Sequence, residues 1–326
     1  MDSTSSSSTI PLISQVGGHA GVQSTQDGSL IIKPALGLEH QFYQSLTTSS
    51  SDEGLGRLRP FVPKFYGTLK LEGELVPDVN AGETKEAGEV KVKEVEGGQK
   101  ENLVLENLSH PFSKPNILDI KLGTVLYDES APPDKVERML KTARQTTSLE
   151  TGVRLTGFQV YDNSTSQAVN TPKSYGKSIK PSDLPDGIAK FFPIPSDTNT
   201  SGLPPRLLLP ILENIKEDIQ EIREAVAGIE MRMVGGSCLI IYEADWEKAE
   251  EGVDWLNETP NDEEEEEESE GEEEGKKKGP PYVVKLIDFA HTRFKSGEGP
   301  DEGVLKGLDT VLRLLDGRIG EVKKAL

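Results

Sequence analysis

The nine residues from Pro115 to Gly123, PNILDIKLG, decide how this sequence is interpreted. Successive side chains of a β-strand point to opposite faces, so Asp119 and Lys121 would share one face. The positions that face the other way are the apolar Leu118, Ile120 and Leu122. The apolar face suits a hydrophobic core. The opposite face carries an anion and a cation side by side, for which a core has no obvious use.

The length and composition of the chain allow a sizeable core. Its 326 residues are enough for one two-lobed domain or two modest ones, and 34% of them are hydrophobic. The single cysteine, Cys238, excludes a disulfide within the chain and is typical of a reducing compartment. The N-terminus lacks the features of a secretory signal, and no apolar run approaches the ~20 residues of a membrane span. We therefore expect a soluble intracellular protein.

The charge of the chain is strongly negative and unevenly distributed. A formal net charge of -20 argues against direct nucleic-acid binding or general membrane-surface binding. Eleven acidic residues stand between Asp262 and Glu274, so the rest of the chain carries only -9. This low-complexity tract is expected to be a solvated loop. Because such tracts also dock basic partners, a scaffold function stays open as an alternative.

The order of the expected elements predicts an α+β fold with two lobes. Residues 1–13 are Ser/Thr-rich and expected to be disordered. Residues 14–110 would form a lobe built on an antiparallel sheet, with a flexible insertion at residues 78–100. Residues 111–326 would form a mixed α/β lobe. This second lobe would contain a helical segment at residues 131–150 and a disordered acidic loop at residues 257–279.

Asp288 and Lys33 are candidates for a charged site. Asp288 closes an apolar row formed with Val284 and Leu286, and a buried carboxylate should be paired or coordinate a cation. A hard oxygen ligand suggests Mg²⁺, although an aspartate that caps a strand-end turn is an equally good interpretation. Lys33 follows the apolar segment SLII. It could hold nucleotide phosphates and pair with Glu39, or simply extend its ammonium to solvent.

The expected helix after PNILDIKLG has a basic face. Its apolar stripe consists of Val136, Met139, Leu140 and Ala143. Lys135, Arg138 and Lys141 lie largely on the opposite side. Such charges usually form a solvated face, but Lys121 on the preceding strand favours a phosphate site. A charge pair at 4 Å contributes about 4 kcal/mol at an effective dielectric constant of ~20, against about 1 kcal/mol in water.

Several of these motifs resemble the inositol polyphosphate kinase family. PNILDIKLG matches the family signature P-x-x-x-D-x-K-x-G at Pro115, Asp119, Lys121 and Gly123. LIDFAHT resembles the family's metal-binding I-D-F-A strand, and QVGGH, LIIKP and LVLENL occur in the family's order. GGSCLIIYE is similar to the S-S-L-L segment, in which Ser237 would support the metal site, but Gly236 and Cys238 depart from it. The resemblance spans roughly residues 14–315.

The resemblance implies a fold related to the protein kinases, of ATP-grasp type, with ATP held between the two lobes. Lys33 would contact the ATP phosphates, and Glu106 and Leu108 would hold the adenine through backbone groups. Asp119 would contact the ribose. Asp288 would bind magnesium and so take part in catalysis.

The resemblance also implies the residues that hold the acceptor. Lys121 would contact both the inositol phosphate and the transferred group, and so be catalytic. Lys135 and Arg138 would bind substrate phosphates, which makes residues 131–150 an inositol-binding segment. His291 would approach the reacting side of the substrate.

The short loop after the signature favours the multikinase branch of the family. Only residues 124–150 separate Gly123 from the strand TGVRLTGFQVY, which suggests an open site. Multikinases phosphorylate inositol 1,4,5-trisphosphate at the 6- and 3-hydroxyls, giving tetrakis- and pentakisphosphates. The alternatives are a hexakisphosphate kinase that makes pyrophosphates, and a nuclear acidic scaffold with little catalysis. We expect a monomer, nuclear and cytoplasmic, with soluble inositol polyphosphates and basic or transcription-related proteins as partners.

Overall fold

A computed structural model of the chain describes residues 9–11, 21–48, 53–70, 73–76, 91–94, 101–196, 201–258 and 279–326. Its strands within these ranges are β1 Thr9–Pro11, β2 Gln23–Thr25, β3 Leu30–Pro34, β4 Phe65–Lys70, β5 Gly73–Val76, β6 Lys91–Glu94, β7 Glu101–Glu106, β8 Pro115–Leu122, β9 Val153–Asp162, β10 Gln167–Thr171, β11 Met231–Val234, β12 Ser237–Glu243, β13 Tyr282–Ile287 and β14 His291–Phe294. Its α-helices are α1 Gly37–Thr48, α2 Glu53–Leu58, α3 Pro133–Gln145, α4 Ser148–Thr151, α5 Lys173–Ser178, α6 Leu184–Phe191, α7 Pro205–Ala227, α8 Trp246–Glu258 and α9 Glu302–Lys323. Short 3₁₀ helices cover Arg59–Phe61 and Pro181–Asp183.

The first sheet is antiparallel, with the strand order β1-β2-β3-β7-β4. A tight turn at Asp27 and Gly28 connects β2 to β3. Gly28 adopts a φ of 77°, which glycine reaches without a steric cost. The Asp27 carboxylate accepts a hydrogen bond from the Ser29 amide at 3.2 Å, an arrangement that stabilises the turn. This turn fixes the register of β3 and therefore the position of Lys33.

Two segments expected to lack structure contain short strands. Strand β1 pairs with β2, so the prediction of disorder in residues 1–13 is wrong for Thr9–Pro11. Strand β6 pairs with β5 inside the predicted insertion 78–100. Composition does not report such pairing, because it comes from backbone hydrogen bonds to a neighbouring strand. The other residues of both segments, and the QVGGH motif, lie outside the described ranges.

The second sheet is also antiparallel, and β8 lies at its centre between β9 and β12. The predicted core positions of β8 are confirmed, since none of them is more than 1% exposed: Leu118, Ile120 and Leu122. They join one large hydrophobic cluster with the apolar faces of α7 and α9. Gly123 ends β8 with a φ of 98°, which explains why the signature closes on a glycine. The core therefore covers one face of β8 and leaves the other face for the site.

The helical prediction for residues 131–150 is confirmed by α3 and α4, but the expected apolar stripe of α3 is hardly buried. Only Ala143 is fully buried, and Leu140 is 37% exposed. Val136 and Met139 are half-buried. The periodicity identified a helix face correctly, but it did not specify what would cover that face.

Helix α8 was not predicted, although Ala249, Gly252 and Val253 are buried on one side of it. It runs to Glu258, so the loop predicted for residues 257–279 begins too early. Residues 259–278 of that loop, which include Lys276 to Lys278, lie outside the described part of the chain. None of the helices in the described ranges has the length and apolar character needed to span a membrane.

Candidate active site

The face of the second sheet opposite the core is lined by cross-strand rows of side chains. Residues paired across antiparallel strands lie on the same face. One row pairs Asp119 of β8 with Leu239 of β12, which in turn pairs with Lys285 of β13. The next row runs through Lys121, Ser237 and Ile287. We call this surface the cleft face. The expectation that Asp119 and Lys121 share one face is met.

Asp288 follows β13 directly and turns out of the strand. The strand ends at Ile287, and Asp288 adopts a φ of 67°, in the left-handed region that few residues other than glycine enter. The prediction that its side chain continues the row of Val284 and Leu286 is therefore wrong. A carboxylate in line with that row would lie among the buried residues of the core. The left-handed turn brings it instead to the cleft face.

Two lysines hold the Asp288 carboxylate, which is only 8% exposed. The Nζ atom of Lys33 donates to Oδ1 at 3.0 Å, and the Nζ atom of Lys121 donates to Oδ2 at 2.8 Å. Lys33 also pairs with Oε1 of Glu39 at 2.9 Å, so this predicted pair is confirmed and the solvent-exposed alternative is wrong. Glu39 accepts a further hydrogen bond from the amide of Phe289. This charge cluster connects β3 and α1 to the end of β13.

Opposite charges in the cluster shift the pKa values of Asp288 and Lys33 in opposite directions. Burial acts to raise the pKa of Asp288, but the positive charges of Lys121 and Lys33 outweigh it and lower that pKa to about 2. Burial acts to lower the pKa of Lys33, and the carboxylates of Asp288 and Glu39 more than offset it, so that pKa is raised. Both shifts favour the charged forms of Asp288 and Lys33.

Several buried polar atoms at this site have no partner among the described residues. They include Glu39 Oε2, Asp119 Oδ1 and Ser237 Oγ. Buried polar groups in folded proteins are nearly always hydrogen-bonded, so three such oxygens on one surface fit a polar ligand. Asp119 is only 2% exposed. Its backbone carbonyl accepts a hydrogen bond from the Thr156 hydroxyl, but its side-chain Oδ1 has no such partner among the described residues.

Arg154 is a cation that the sequence reasoning missed. It lies on β9 directly across from Lys121 on β8. Its Nη1 atom is buried and has no partner in the described part of the chain. Burial lowers the pKa of Arg154, and the charge of Asp119 counteracts that effect. Only the strand register places it beside the signature, because no local pattern in TGVRLTGFQVY marks it.

The cleft face is apolar at the end that lies near Leu108. Leu108 is buried and packs in a small cluster with Ile117 and Ile241. Val283 pairs with Ile241 and packs against the same cluster. The backbone amide of Glu106 already donates to the carbonyl of Lys64 at 3.0 Å. The surface therefore changes from apolar residues near Leu108 to charged residues at Lys121 and Asp288.

Of the predicted substrate residues, Lys121 belongs to the charge cluster, whereas the others form no hydrogen bond with its members within the described ranges. Lys135 is half-exposed, Arg138 and Lys141 are exposed, and none of the three forms an ion pair with a described residue. The side chain of His291 is 43% exposed, and its Nδ1 atom lies 4.0 Å from Oδ2 of Asp128. Within the described ranges, no hydrogen bond joins these residues to Lys33, Lys121 or Asp288.

Comparison with known proteins identifies the family to which this arrangement belongs. A family profile described as "Inositol polyphosphate kinase" matches residues 102–316, which is more than half of the chain. The chain belongs to the inositol polyphosphate kinase family. It is therefore a phosphotransferase, as the resemblance implied.

The curated relatives include two kinds of inositol phosphate kinase. The inositol polyphosphate multikinase of Saccharomyces cerevisiae is 31% identical over 266 residues, which cover 72% of each chain. The multikinase of Schizosaccharomyces pombe is 27% identical over 55% of this chain and 61% of its own length. Inositol hexakisphosphate kinase 3 of Mus musculus is 29% identical over 59% of this chain, but over only 43% of its own length.

Solved structures confirm the two-lobed α+β fold. The crystal structure of the S. cerevisiae inositol phosphate multikinase in complex with ADP and Mn²⁺ matches with a TM-score of 0.63 and 28% identity. The match covers 90% of this chain and all of that chain. A second multikinase structure, with a TM-score of 0.53 over 85% of this chain and 98% of its own, is 18% identical and supports the fold alone.

Proposed function

We propose that this family member is an ATP-dependent inositol polyphosphate multikinase. It would phosphorylate inositol 1,4,5-trisphosphate at the 6- and 3-hydroxyls and give tetrakis- and pentakisphosphates. The observation that carries the proposal is the charge cluster, in which Lys33 and Lys121 converge on the buried carboxylate of Asp288. The similarity to two fungal multikinases supports the same activity.

The cleft face offers suitable surroundings for each part of ATP. The apolar surface near Leu108 suits an adenine ring, and the unpaired Oδ1 atom of Asp119 suits a ribose hydroxyl. Lys33 lies at the charged end, where the phosphates would bind. Its ammonium has three donors and uses two of them on Glu39 and Asp288, so one is left for a phosphate oxygen.

A divalent metal fits beside Asp288 if nucleotide phosphates supply further oxygens. The described residues contain no group of three or more acidic, histidine or cysteine side chains that could hold a metal unaided. Magnesium commonly binds through one or two carboxylates together with substrate phosphates. Asp288 would be the protein ligand, with Ser237 next to it on the cleft face. A bound metal would offset negative charge on the phosphates.

Lys121 is suited to stabilise the group in transfer. Its Nζ atom donates to the carbonyl of Gly235 and to Asp288, both at 2.8 Å, which fixes the direction of its third donor. Phosphoryl transfer demands positioning and charge stabilisation, with little covalent chemistry for the protein. A fixed cation of this kind needs no reorganisation when charge moves during the reaction.

The basic residues of α3 would bind the phosphates of the acceptor. Lys135 and Arg138 have no carboxylate partner in the described ranges, so a substrate phosphate would not have to displace one. A phosphate bound by such cations gains charge-assisted hydrogen bonds. His291, three residues after Asp288, would contact the acceptor from β14.

A hexakisphosphate kinase is the second candidate, favoured by the similarity to the mouse enzyme. A purely scaffolding role is disfavoured, because it gives no reason to bury Lys33, Lys121 and Asp288 together. In an enzyme located in the nucleus and cytoplasm, the acidic tract would bind basic protein partners in addition to the catalytic role of the chain.

The test is a turnover assay with purified protein, ATP, magnesium and a panel of inositol phosphates, followed by anion-exchange chromatography. Conversion of the 1,4,5-trisphosphate through tetrakis- to pentakisphosphate is expected. A pyrophosphate made from hexakisphosphate alone would select the second candidate. A folded protein that binds ATP and turns over none of these compounds would refute the proposal.

A further inference from the structure

Helix α3 is held mainly at its ends. Its apolar stripe is only partly buried, and among the described elements α4 is the one it packs against most closely. A helix whose long side is not buried takes its position from the segments that lead into and out of it. The segment that leads into α3 is the loop 124–132, which follows the signature strand β8.

Asp128 fixes this loop through a bidentate ion pair with Arg293 of β14. The Nε atom of Arg293 lies 3.1 Å from Oδ2 of Asp128, and its Nη2 atom lies 3.1 Å from Oδ1. Asp128 is buried and also accepts hydrogen bonds from the amide and hydroxyl of Ser130. The hydrogen bonds from Arg293 lower the pKa of Asp128 well below its usual range, against the effect of burial. Paired geometry of this kind restricts orientation as well as distance.

A second ion pair reinforces the same connection. Lys295, just after β14, lies 2.6 Å from the carboxylate of Glu129. Two neighbouring acids of the loop are thus bound to one short strand. That strand begins at His291, whose Nδ1 atom is 4.0 Å from Asp128. The strand that carries His291 and the loop that leads to α3 are therefore joined side chain to side chain.

We propose that the Asp128–Arg293 pair is a positioning device for the acceptor site. It holds α3, with Lys135 and Arg138, at a fixed distance from His291, so that both sides of the acceptor are contacted at once. The inference rests on the proposed function, because it concerns how the inositol phosphate is placed. Neither residue need touch the substrate. Small errors in such placement are costly, since transfer requires a near-attack geometry.

An ion pair that contributed only to stability would behave differently, and the chain offers a matched control. Arg223 of α7 pairs with Asp309 of α9 at 2.9 Å, far from α3 in the sequence and on other elements. The side chains of Arg223 and Arg293 are similarly exposed, at 33% and 34%. Replacing either arginine by alanine removes one ion pair of a partly exposed arginine, although the partner Asp128 is buried and Asp309 is 54% exposed. Only Arg293 connects the two halves of the acceptor site.

The first test compares kinetic constants of Arg293→Ala and Arg223→Ala. We expect Arg293→Ala to raise the KM for inositol trisphosphate about tenfold, with the KM for ATP unchanged, because a bidentate charged pair is lost. Arg293→Lys, which retains one charged contact, should recover part of the loss. Arg223→Ala should leave both constants unchanged. An equal rise in both KM values, or no rise for the inositol phosphate, would overturn the proposal.

A double-mutant cycle tests positioning more directly. If Arg293 acts by placing α3, the helix is already displaced in Arg293→Ala. Arg138→Ala should then raise the KM for inositol trisphosphate by a much smaller factor in that background than in the wild type. Fully additive effects would show that the two residues act independently, and the proposal would fail.

Hydrogen–deuterium exchange of the unliganded protein separates this inference from the proposed function. Arg293→Ala should accelerate exchange of the amides in residues 133–145, and Arg223→Ala should not. Unchanged exchange in α3 would overturn the positioning role even if the enzyme is a multikinase. If the wild-type protein turned over no inositol phosphate, the proposed function would fail, and the exchange experiment alone would decide whether the pair anchors α3.

Discussion

At the scale of single residues, the candidate site consists of charges that neutralise one another before any ligand binds. Lys33 and Lys121 share one carboxylate, and Glu39 balances the remaining charge. Removing one member of a buried ion pair leaves the other charge uncompensated and destabilises the fold. The cluster is therefore both a structural connection between the sheets and a set of groups ready to exchange partners with phosphate.

Asp288→Asn tests this double role. The variant should stay folded but lose turnover at any magnesium concentration, since the amide removes the proposed metal ligand. Its free energy of unfolding at pH 7 should be about 2 kcal/mol below that of the wild type, from the lowered pKa of Asp288. A carboxyl group with a lowered pKa stabilises the fold above its unfolded value of 3.8, and this contribution is lost as pH falls towards 2.

Urea unfolding at pH 7 and pH 3 provides the measurement for Asp288→Asn. The difference in unfolding free energy between variant and wild type should narrow at pH 3, because Asp288 of the unfolded wild type is then largely protonated while that of the folded protein is not. A gap that is constant with pH would disprove the assigned pKa, and wild-type turnover in the variant would remove the metal assignment.

At the scale of secondary-structure elements, the site depends on contacts that are remote in the sequence. Alternation along β8 was sufficient to predict its two faces, whereas the pair of Lys33 with Glu39 was only one of the alternatives that the sequence left open. The left-handed turn at Asp288 was not predictable, because an apolar strand pattern does not show where the strand stops. Arg154 and the partners Asp128 and Arg293 were missed for another reason. They meet only through strand register and loop closure, which leave no local pattern.

Arg138→Ala tests the role of α3 as an element that binds substrate. Because Arg138 is exposed and has no ion pair among the described residues, the change should leave the fold intact. The KM for inositol phosphates should rise about tenfold through the loss of a charged phosphate contact, while the KM for ATP stays unchanged. Steady-state kinetics with each substrate varied in turn provides the measurement. Arg57→Ala on α2 is the control, and equal weakening of both substrates would mean that α3 is structural.

Gly176→Ala tests the close packing of α5 on β9. A Cβ atom at position 176 would lie 1.6 Å from the carbonyl oxygen of Leu155, so helix and strand would have to separate. We expect a loss of more than about 3 kcal/mol in the free energy of unfolding. Gly320→Ala on α9 meets no atom within 4 Å and should stabilise the protein by up to about 1 kcal/mol. Urea denaturation measures the free energy of unfolding of both variants. If Gly176→Ala left it unchanged, α5 and β9 could not pack as closely as the structure shows.

At the scale of the whole molecule, the protein combines a negative net charge with a basic face on α3. The formal net charge is -20, while α3 alone presents Lys135, Arg138 and Lys141 without described partners. Interactions between exposed charges weaken beyond about 8–10 Å at physiological salt. Acidic residues further away than this distance would hardly weaken the attraction of α3 for a polyanion, so a negative net charge does not exclude polyanion binding.

Asp218 on α7 should contribute to the pH dependence of the free energy of unfolding. Burial, with the nearby charge of Glu221, raises the pKa of Asp218 to about 6. A carboxyl group with a raised pKa stabilises the fold below its unfolded value of 3.8, and this contribution is lost as pH rises through 6. Asp218→Asn should therefore stabilise the protein at pH 8 by about 1–2 kcal/mol, allowing for partial solvent screening.

Urea unfolding at pH 8 and pH 4 checks the Asp218 prediction. The stabilising effect of Asp218→Asn should be nearly absent at pH 4, where the wild-type carboxyl group is already protonated in the folded state. An effect of equal size at both values would contradict the raised pKa.

The two faces of β8 have a consequence for how this protein can change over evolutionary time. Even-numbered positions from Leu118 to Leu122 belong to the core, and the odd-numbered Asp119 and Lys121 belong to the cleft face. Selection for a new substrate can therefore change the odd-numbered positions of the cleft face without disturbing the even-numbered positions of the core. A saturation library of residues 118–122 should separate accordingly, with cellular abundance lost at even positions and catalysis lost at odd ones. A single-residue deletion would exchange the two sets and abolish both.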